Sequence, residues 1–167
     1  PRPEVRDAVA KCRAAGIKPV MITGDHLATA SAIARDLGIE KDGDRHFTGS
    51  EVEKMSDAEL DGIVEATSVY ARVAPEHKVR IVKSFQKQGE IVAMTGAGVN
   101  DAPALKPANI ALAMGITGTA VSQGPAAVLL ADANFPTTAG AVPARRAVFP
   151  TLLTAIQLIL PPNLAAH

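Results

Sequence analysis

The chain has 167 residues, long enough for one domain with its own core. Its 17 basic and 17 acidic residues cancel, so charge gives no pointer to nucleic acid or to an acidic partner. The single cysteine, Cys12, excludes an internal disulfide and a zinc site built on several cysteines, and it fits a reducing compartment.

The first stretch, PRPEVRDAVAKCR, is charged throughout and does not read as a signal peptide. Val5, Ala8, Val9 and Cys12 recur at helical spacing, so a helix is expected over 3–15, stopped by Gly16. Lys18 to Thr23 reads as a strand around Val20-Met21-Ile22. Gly24 and Asp25 turn the chain into a helix from about Leu27 to Leu37, ended by Gly38. Residues 40–66 are polar and acidic. Thr48-Gly49-Ser50 reads as a turn, Ser56 as the cap of a helix over 58–66, and His46 as exposed and idle.

Val69 to Val73 is the next short strand. Pro75 then opens a helix from Glu76 to Gln88, with Val79, Val82 and Phe85 toward one face. Lys78 falls in its first turn, where a cation is disfavoured by the helix dipole. That local penalty suggests an anionic neighbour, although a solvated surface lysine is the plainer reading. His77 reads as a helix-surface residue rather than a metal ligand.

Ile91 to Met94 is an apolar run of the kind found in buried parallel strands. Thr95, Gly96 and Gly98 break it, and Asp101 is placed to cap a helix from Ala102, with Pro103 in its first turn. A strand, a glycine turn and a helix N-terminus in that order favour a bound anion, usually phosphate. A strand over 109–114, a short helix over 119–123 and a strand over 127–130 follow. A helix is expected after Phe135, interrupted at Pro143 and Pro150, since interior prolines cost about 3 kcal/mol each.

Only Lys106, Asp132, Arg145 and Arg146 carry charge after Asp101, and eight of the 12 prolines lie there too, which is unusual for a solvated surface. Residues 147–160, AVFPTLLTAIQLIL, would form an apolar helix of about 20 Å, stopped by Pro161-Pro162. It is short of the roughly 18 residues that a membrane span needs. A truncated membrane stub and a buried core helix are the two readings.

Three stretches carry a family resemblance. IVAMTGAGVNDAPALK (91–106) resembles the hinge motif TGDGVNDAPALK of P-type cation-transporting ATPases. VMITGDHLATA (20–30) resembles the TGD phosphate-binding segment of that family, and YARVAPEHKVRIV (70–82) the segment with its catalytic lysine. Taken alone, Thr23-Gly24-Asp25 is a capped turn; beside NDAPALK it reads as a phosphate loop.

The resemblance implies an α/β fold, a Rossmann-like parallel sheet of the haloacid-dehalogenase type. It implies phosphoryl transfer from ATP to an aspartate, followed by hydrolysis. Thr23, Lys78 and Asp101 are the implied catalytic residues. Thr23, Gly24, Asp25, Lys78 and Asn100 would bind phosphate, and Asp101 would hold the metal, Mg²⁺. Ala97 stands where the family has a Mg²⁺-binding Asp, so Mg²⁺ is expected to bind weakly or not at all. The DKTGT nucleophile motif and the actuator loop do not occur, and Asp7 lies mid-helix, unsuited to be a nucleophile.

The implied whole is therefore a pump at the cytoplasmic face of a membrane. Residues 1–146 would be the second segment of its phosphorylation domain, and 147–167 the stub of its fifth transmembrane helix. The partners would be the nucleotide-binding and actuator domains and the membrane helices, with a calcium-like cation. The alternative is a stand-alone phosphatase of the same fold, or a pseudoenzyme binding module. Because the nucleophile strand is missing, the sheet should lack its centre. Either a slot of about 10 Å separates Ile22 from Val92, or those strands pair directly.

Overall fold

The computed structural model describes residues 3–96, 102–114, 127–130 and 156–160. Among these, seven strands form one parallel sheet in the order β2-β3-β1-β7-β4-β5-β6. The strands are β1 (Pro19–Ile22), β2 (Arg45–Thr48), β3 (Thr67–Ala71), β4 (Ile91–Gly96), β5 (Ile110–Met114), β6 (Ala127–Leu130) and β7 (Ile156–Leu160). The helices are α1 (Pro3–Ala14), α2 (Leu27–Asp36), α3 (Gly49–Lys54), α4 (Asp57–Ile63), α5 (Pro75–Lys87) and the single turn α6 (Ala102–Leu105). A 3₁₀ turn, Val64–Ala66, joins α4 to β3. The α/β class and the parallel sheet are as the sequence implies.

Strand alternation explains the two-sided core. Met21, Val69 and Ala93 face one side, where Val5, Ala8, Val9 and Cys12 of α1 and Ala30 and Ala34 of α2 cover them. Val20, Ile22, Tyr70, Val92 and Met94 face the other side, against Ile81, Val82 and Phe85 of α5. Leu60 of α4 and Ala104 and Leu105 of α6 complete that layer. Val82 and Phe85 were legible from helical spacing, and both are buried. Gly38 adopts φ 74° just past α2, the left-handed stop expected of it.

The polar excursion holds more structure than its composition suggested. Thr48 is not a turn residue but the N-cap of α3, its Oγ1 accepting from Glu51 N–H while the Glu51 carboxylate accepts from Thr48 N–H. Ser56 and Glu59 repeat the same reciprocal cap on α4. Between them and the core, Arg80 of α5 donates to the Val52 carbonyl at 2.8 Å, the Met55 carbonyl at 2.7 Å and Asp57.

The centre of the sheet departs from expectation. Neither an open slot nor a β1–β4 pair is found. β7 lies between them, parallel to both: Pro19 pairs with Leu158 and Met21 with Leu160, while Ile91 pairs with Ile156 and Met94 with Ile159. The helix expected over 147–160 is therefore corrected to a strand over Ile156–Leu160, and residues 147–155 lie outside the described residues. The physical reason is the open edges. Two facing rows of unpaired backbone groups cost more than an apolar five-residue run loses by leaving a helix. Among the described residues the centre of the sheet is held by β7. Among the described residues no helix is long and apolar enough to cross a membrane.

Candidate functional site

The chain order reverses across the sheet centre. From β1 it moves outward to the edge strand β2, steps back to β3, then passes through α5 to β4 on the other side of β7. In such sheets ligands bind beyond the carboxyl ends of the strands at the reversal. Thr23, at the end of β1, and Thr95, near the end of β4, lie at that edge, and each is 1% exposed.

The β1 and β3 ends are stitched together past their last strand residues. Thr23 N–H donates to the Tyr70 carbonyl at 2.9 Å, Val73 N–H to the Thr23 carbonyl at 3.2 Å, and Arg72 N–H to the Asp25 carbonyl at 3.2 Å. The Thr23 hydroxyl oxygen accepts from Asp25 N–H at 3.0 Å, leaving its O–H as the group able to donate to an anion. Gly24 stands open: a Cβ there would meet nothing within 4 Å. Thr23, Gly24 and Asp25 therefore form one tight turn beside the segment that leads into α5.

Lys78 occupies the first turn of α5, its N–H donating to the Ala74 carbonyl at 3.3 Å, and its side chain is half-buried. Pro75 sits at the helix start, where its missing N–H is harmless. His77 caps this helix: its Nδ1 accepts from Ala74 N–H at 3.0 Å, so the ring proton is on Nε2. Thr23, Gly24 and Asp25 thus lie on a turn bonded to Arg72 and Val73, and Lys78 lies in the first turn of the helix that follows that segment, where a lysine and a helix N-terminus favour negative charge. Asn100, Asp101 and Ala97 lie outside the described residues. Among the described residues no three acidic, histidine or cysteine side chains cluster as metal ligands.

Three features escaped the sequence. Arg72, exposed at the end of β3, holds φ 51°, a conformation that side chains rarely adopt. Its guanidinium contacts His26 Nε2, the residue preceding α2. Gly49 packs so closely that a Cβ would lie 2.3 Å from the Arg72 carbonyl oxygen and 2.8 Å from His77 Nδ1. The Pro75-x-His77 spacing could have signalled the cap. Nothing in the sequence signals the Arg72 conformation, which is set by three converging loops.

Comparison with known proteins agrees with this fold. The family description haloacid dehalogenase-like hydrolase matches residues 1–109. The chain is 48% identical over 163 residues to a calcium-transporting ATPase of Bacillus subtilis, covering 98% of this chain and 18% of that protein. It is 46% identical over 166 residues to calcium-transporting ATPase 1 of Lactococcus lactis, covering 99% of this chain and 19% of that protein. It is 49% identical over 164 residues to a cation-transporting ATPase of Synechocystis, covering 98% of this chain and 18% of that protein. The chain thus spans about a fifth of the length of these relatives, over which it fits as a fragment of a P-type ATPase. With the doubly covered parallel sheet and the match over residues 1–109, the chain belongs to the haloacid dehalogenase-like hydrolase family.

Proposed function

We propose that this chain is the second segment of the phosphorylation domain of an ATP-driven, cation-transporting P-type ATPase. Residues 1–146 belong to that domain, and Ile156–Leu160 adds a strand to the same sheet. The observation that carries the reading is identity of 46–49% along nearly the whole chain to cation-transporting ATPases several times longer. Calcium is the cation, in keeping with the names of two of those relatives. The domain stands at the cytoplasmic face, against the nucleotide-binding and actuator domains and the membrane helices of the parent protein.

Within that reading the residues divide the work on a phosphoryl group. The Thr23 O–H and the Asn100 amide donate hydrogen bonds to its oxygens. The turn at Gly24 and Asp25 lets the backbone approach. The Lys78 ammonium offsets the negative charge that spreads over those oxygens. Mg²⁺, when bound, supplies further charge neutralisation, and Asp101 is the residue to hold it. Ala97 offers no oxygen ligand, so the chain brings one carboxylate of the motif where the family has two.

The DKTGT motif that carries the nucleophile in the family does not occur in this sequence. The isolated chain should therefore form no acid-stable phosphoenzyme. Incubation with radiolabelled ATP and acid quench tests this. Label absent from the protein is the expected outcome, and label approaching one per chain would overturn the reading.

A further inference from the structure

The chain makes one short crossing from the turn that holds Thr23 to the helix that holds Lys78. Arg72 and Val73 are bonded to that turn, through the Asp25 and Thr23 carbonyls at 3.2 Å each. Pro75 begins α5. Ala74 is the one residue between Val73 and Pro75. Its conformation therefore sets the direction in which α5 leaves the sheet, and with it the place of Lys78.

Ala74 stands at the N-cap position, with φ −83° and ψ 165°. Its methyl group offers the first turn no oxygen, where Ser, Thr, Asp or Asn would. Pro75 keeps Ala74 extended, and the fastening by a side chain comes from the other direction. His77 Nδ1 accepts from Ala74 N–H at 3.0 Å. The Ala74 carbonyl in turn accepts from His77 N–H at 3.1 Å and Lys78 N–H at 3.3 Å. Both polar groups of Ala74 are thus committed to the pair His77-Lys78. The ring is walled in as well. A Cβ on buried Gly49 would lie 2.8 Å from Nδ1 and 2.3 Å from the Arg72 carbonyl oxygen, so the start of α3 closes that side of the ring.

We propose that His77 is a positioning residue for Lys78: by holding Ala74 N–H against the wall at Gly49, it fixes the first turn of α5 so that the lysine serves the same phosphoryl group as Thr23. It acts through the Ala74 backbone rather than on the ligand. The role rests on the phosphate-binding reading of Thr23 and Lys78. A lysine in a first turn stands against the helix dipole, so an uncapped turn would favour its swinging to solvent. With the cap made, the backbone of Lys78 is set before an anion arrives, and less ordering is lost on binding. An acceptor at residue 77 is what this requires, not an imidazole as such.

The test titrates the full chain with inorganic phosphate and follows the amide signals of Thr23, Gly24 and Lys78 by NMR. His77→Leu keeps comparable bulk and removes the acceptor. Phosphate affinity should fall about fivefold, the equivalent of one lost helix cap. His77→Gln should restore it, because a Gln at the third helical position can accept from the N-cap N–H. A role confined to folding would lower the urea midpoint of His77→Leu and leave phosphate affinity unchanged, and that result overturns the proposal. So does a Gln variant that binds no better than the Leu variant. A parent chain whose signals do not move with phosphate overturns the phosphate reading of Thr23 and Lys78, and the positioning role with it. If His77→Leu does not fold, the imidazole of the parent decides. Nitrogen-15 shifts of the ring that move with phosphate in step with the Lys78 amide are expected, and a ring proton on Nδ1 overturns the proposal.

Discussion

At the scale of single residues, two side chains carry more than their surroundings in sequence suggested. Glu40 has a side chain only 2% exposed, with Arg35 at 3.3 Å and His46 Nδ1 at 3.2 Å. The Ser31 hydroxyl donates to its other oxygen. Burial pushes the Glu40 carboxyl up, but the bonds from Ser31 and His46 and the Arg35 charge outweigh it and hold the group below its usual range. His46 is exposed as expected but not idle, because it helps to hold a buried charge between α2 and β2. A depressed carboxylate contributes stability above its unfolded pKa, about 4.3, and that contribution is lost as pH falls through the lower folded value. Glu40→Gln should therefore be less stable than the parent at pH 7, by about 1–3 kcal/mol, with the gap closing on acidification below about pH 4. Urea titrations at several pH values check it, and a gap that stays constant with pH would show that the ionised form is not what the fold uses.

Gly49 makes the second residue-scale prediction. Its neighbours on the missing Cβ side are the Arg72 carbonyl and the helix-capping ring of His77, neither free to swing away. Gly49→Ala should destabilise by about 1–3 kcal/mol, the range for overpacking a rigid contact. A shift of less than about 0.5 kcal/mol in urea unfolding, as at ordinary surface sites, would contradict it. From sequence, Thr48-Gly49-Ser50 looked like a turn because those residue types favour turns. The close approach of three loops leaves no trace in local composition. The placement of Thr23, Gly24 and Asp25 on a turn, and of Lys78 in the first turn of a helix, was legible for the opposite reason: strand, turn and helix follow one another directly in the chain.

At the scale of elements, the helices and short strands of the core were readable from periodicity, and the excursion of residues 40–66 was not. β2 has too few apolar residues to announce itself, since Arg45 and His46 are exposed and only its far end is half-buried. Its place at the sheet edge explains the polarity, because an edge strand has one paired side and one open to solvent. What anchors the excursion is a single arginine on α5. Arg80 bonds two carbonyls at the end of α3 and, through Nε and Nη2, Asp57 of α4. A lysine lacks the planar fork needed for all of these at once. Arg80→Lys should loosen α3 and α4 together while leaving α1 and α2 intact. Hydrogen exchange reads this directly: protection in α3 and α4 should fall about tenfold, the equivalent of one lost charge-assisted network bond. Unchanged protection there would mean that the two capping boxes suffice on their own.

At the scale of the molecule, the outcome turns on the apolar run near the C-terminus. Composition alone made 147–160 a helix, because strand and helix are indistinguishable in a short unbroken apolar stretch. The need that decides between them is not local. β1 and β4 both require a partner on their inner edges, and that requirement appears only once the other strands are placed. The two readings make opposite predictions for a chain from which residues 156–167 are deleted. Were this run an exposed membrane stub, its removal would take away an apolar patch and improve solubility. With β7 in the sheet, removal strips the ladders from Pro19–Met21 on one side and Ile91–Met94 on the other. Val20, Val92 and Met94 are at most 1% exposed, so the freed backbone groups cannot reach water without opening the core. At about 1–3 kcal/mol for each buried unpaired group, a few of them approach the 5–15 kcal/mol total of a typical domain. The truncated chain should therefore lose its cooperative thermal transition or aggregate through its exposed edges. Circular dichroism and light scattering on the two lengths measure this. A truncated monomer that is more soluble and equally stable would remove β7 from the centre of the sheet.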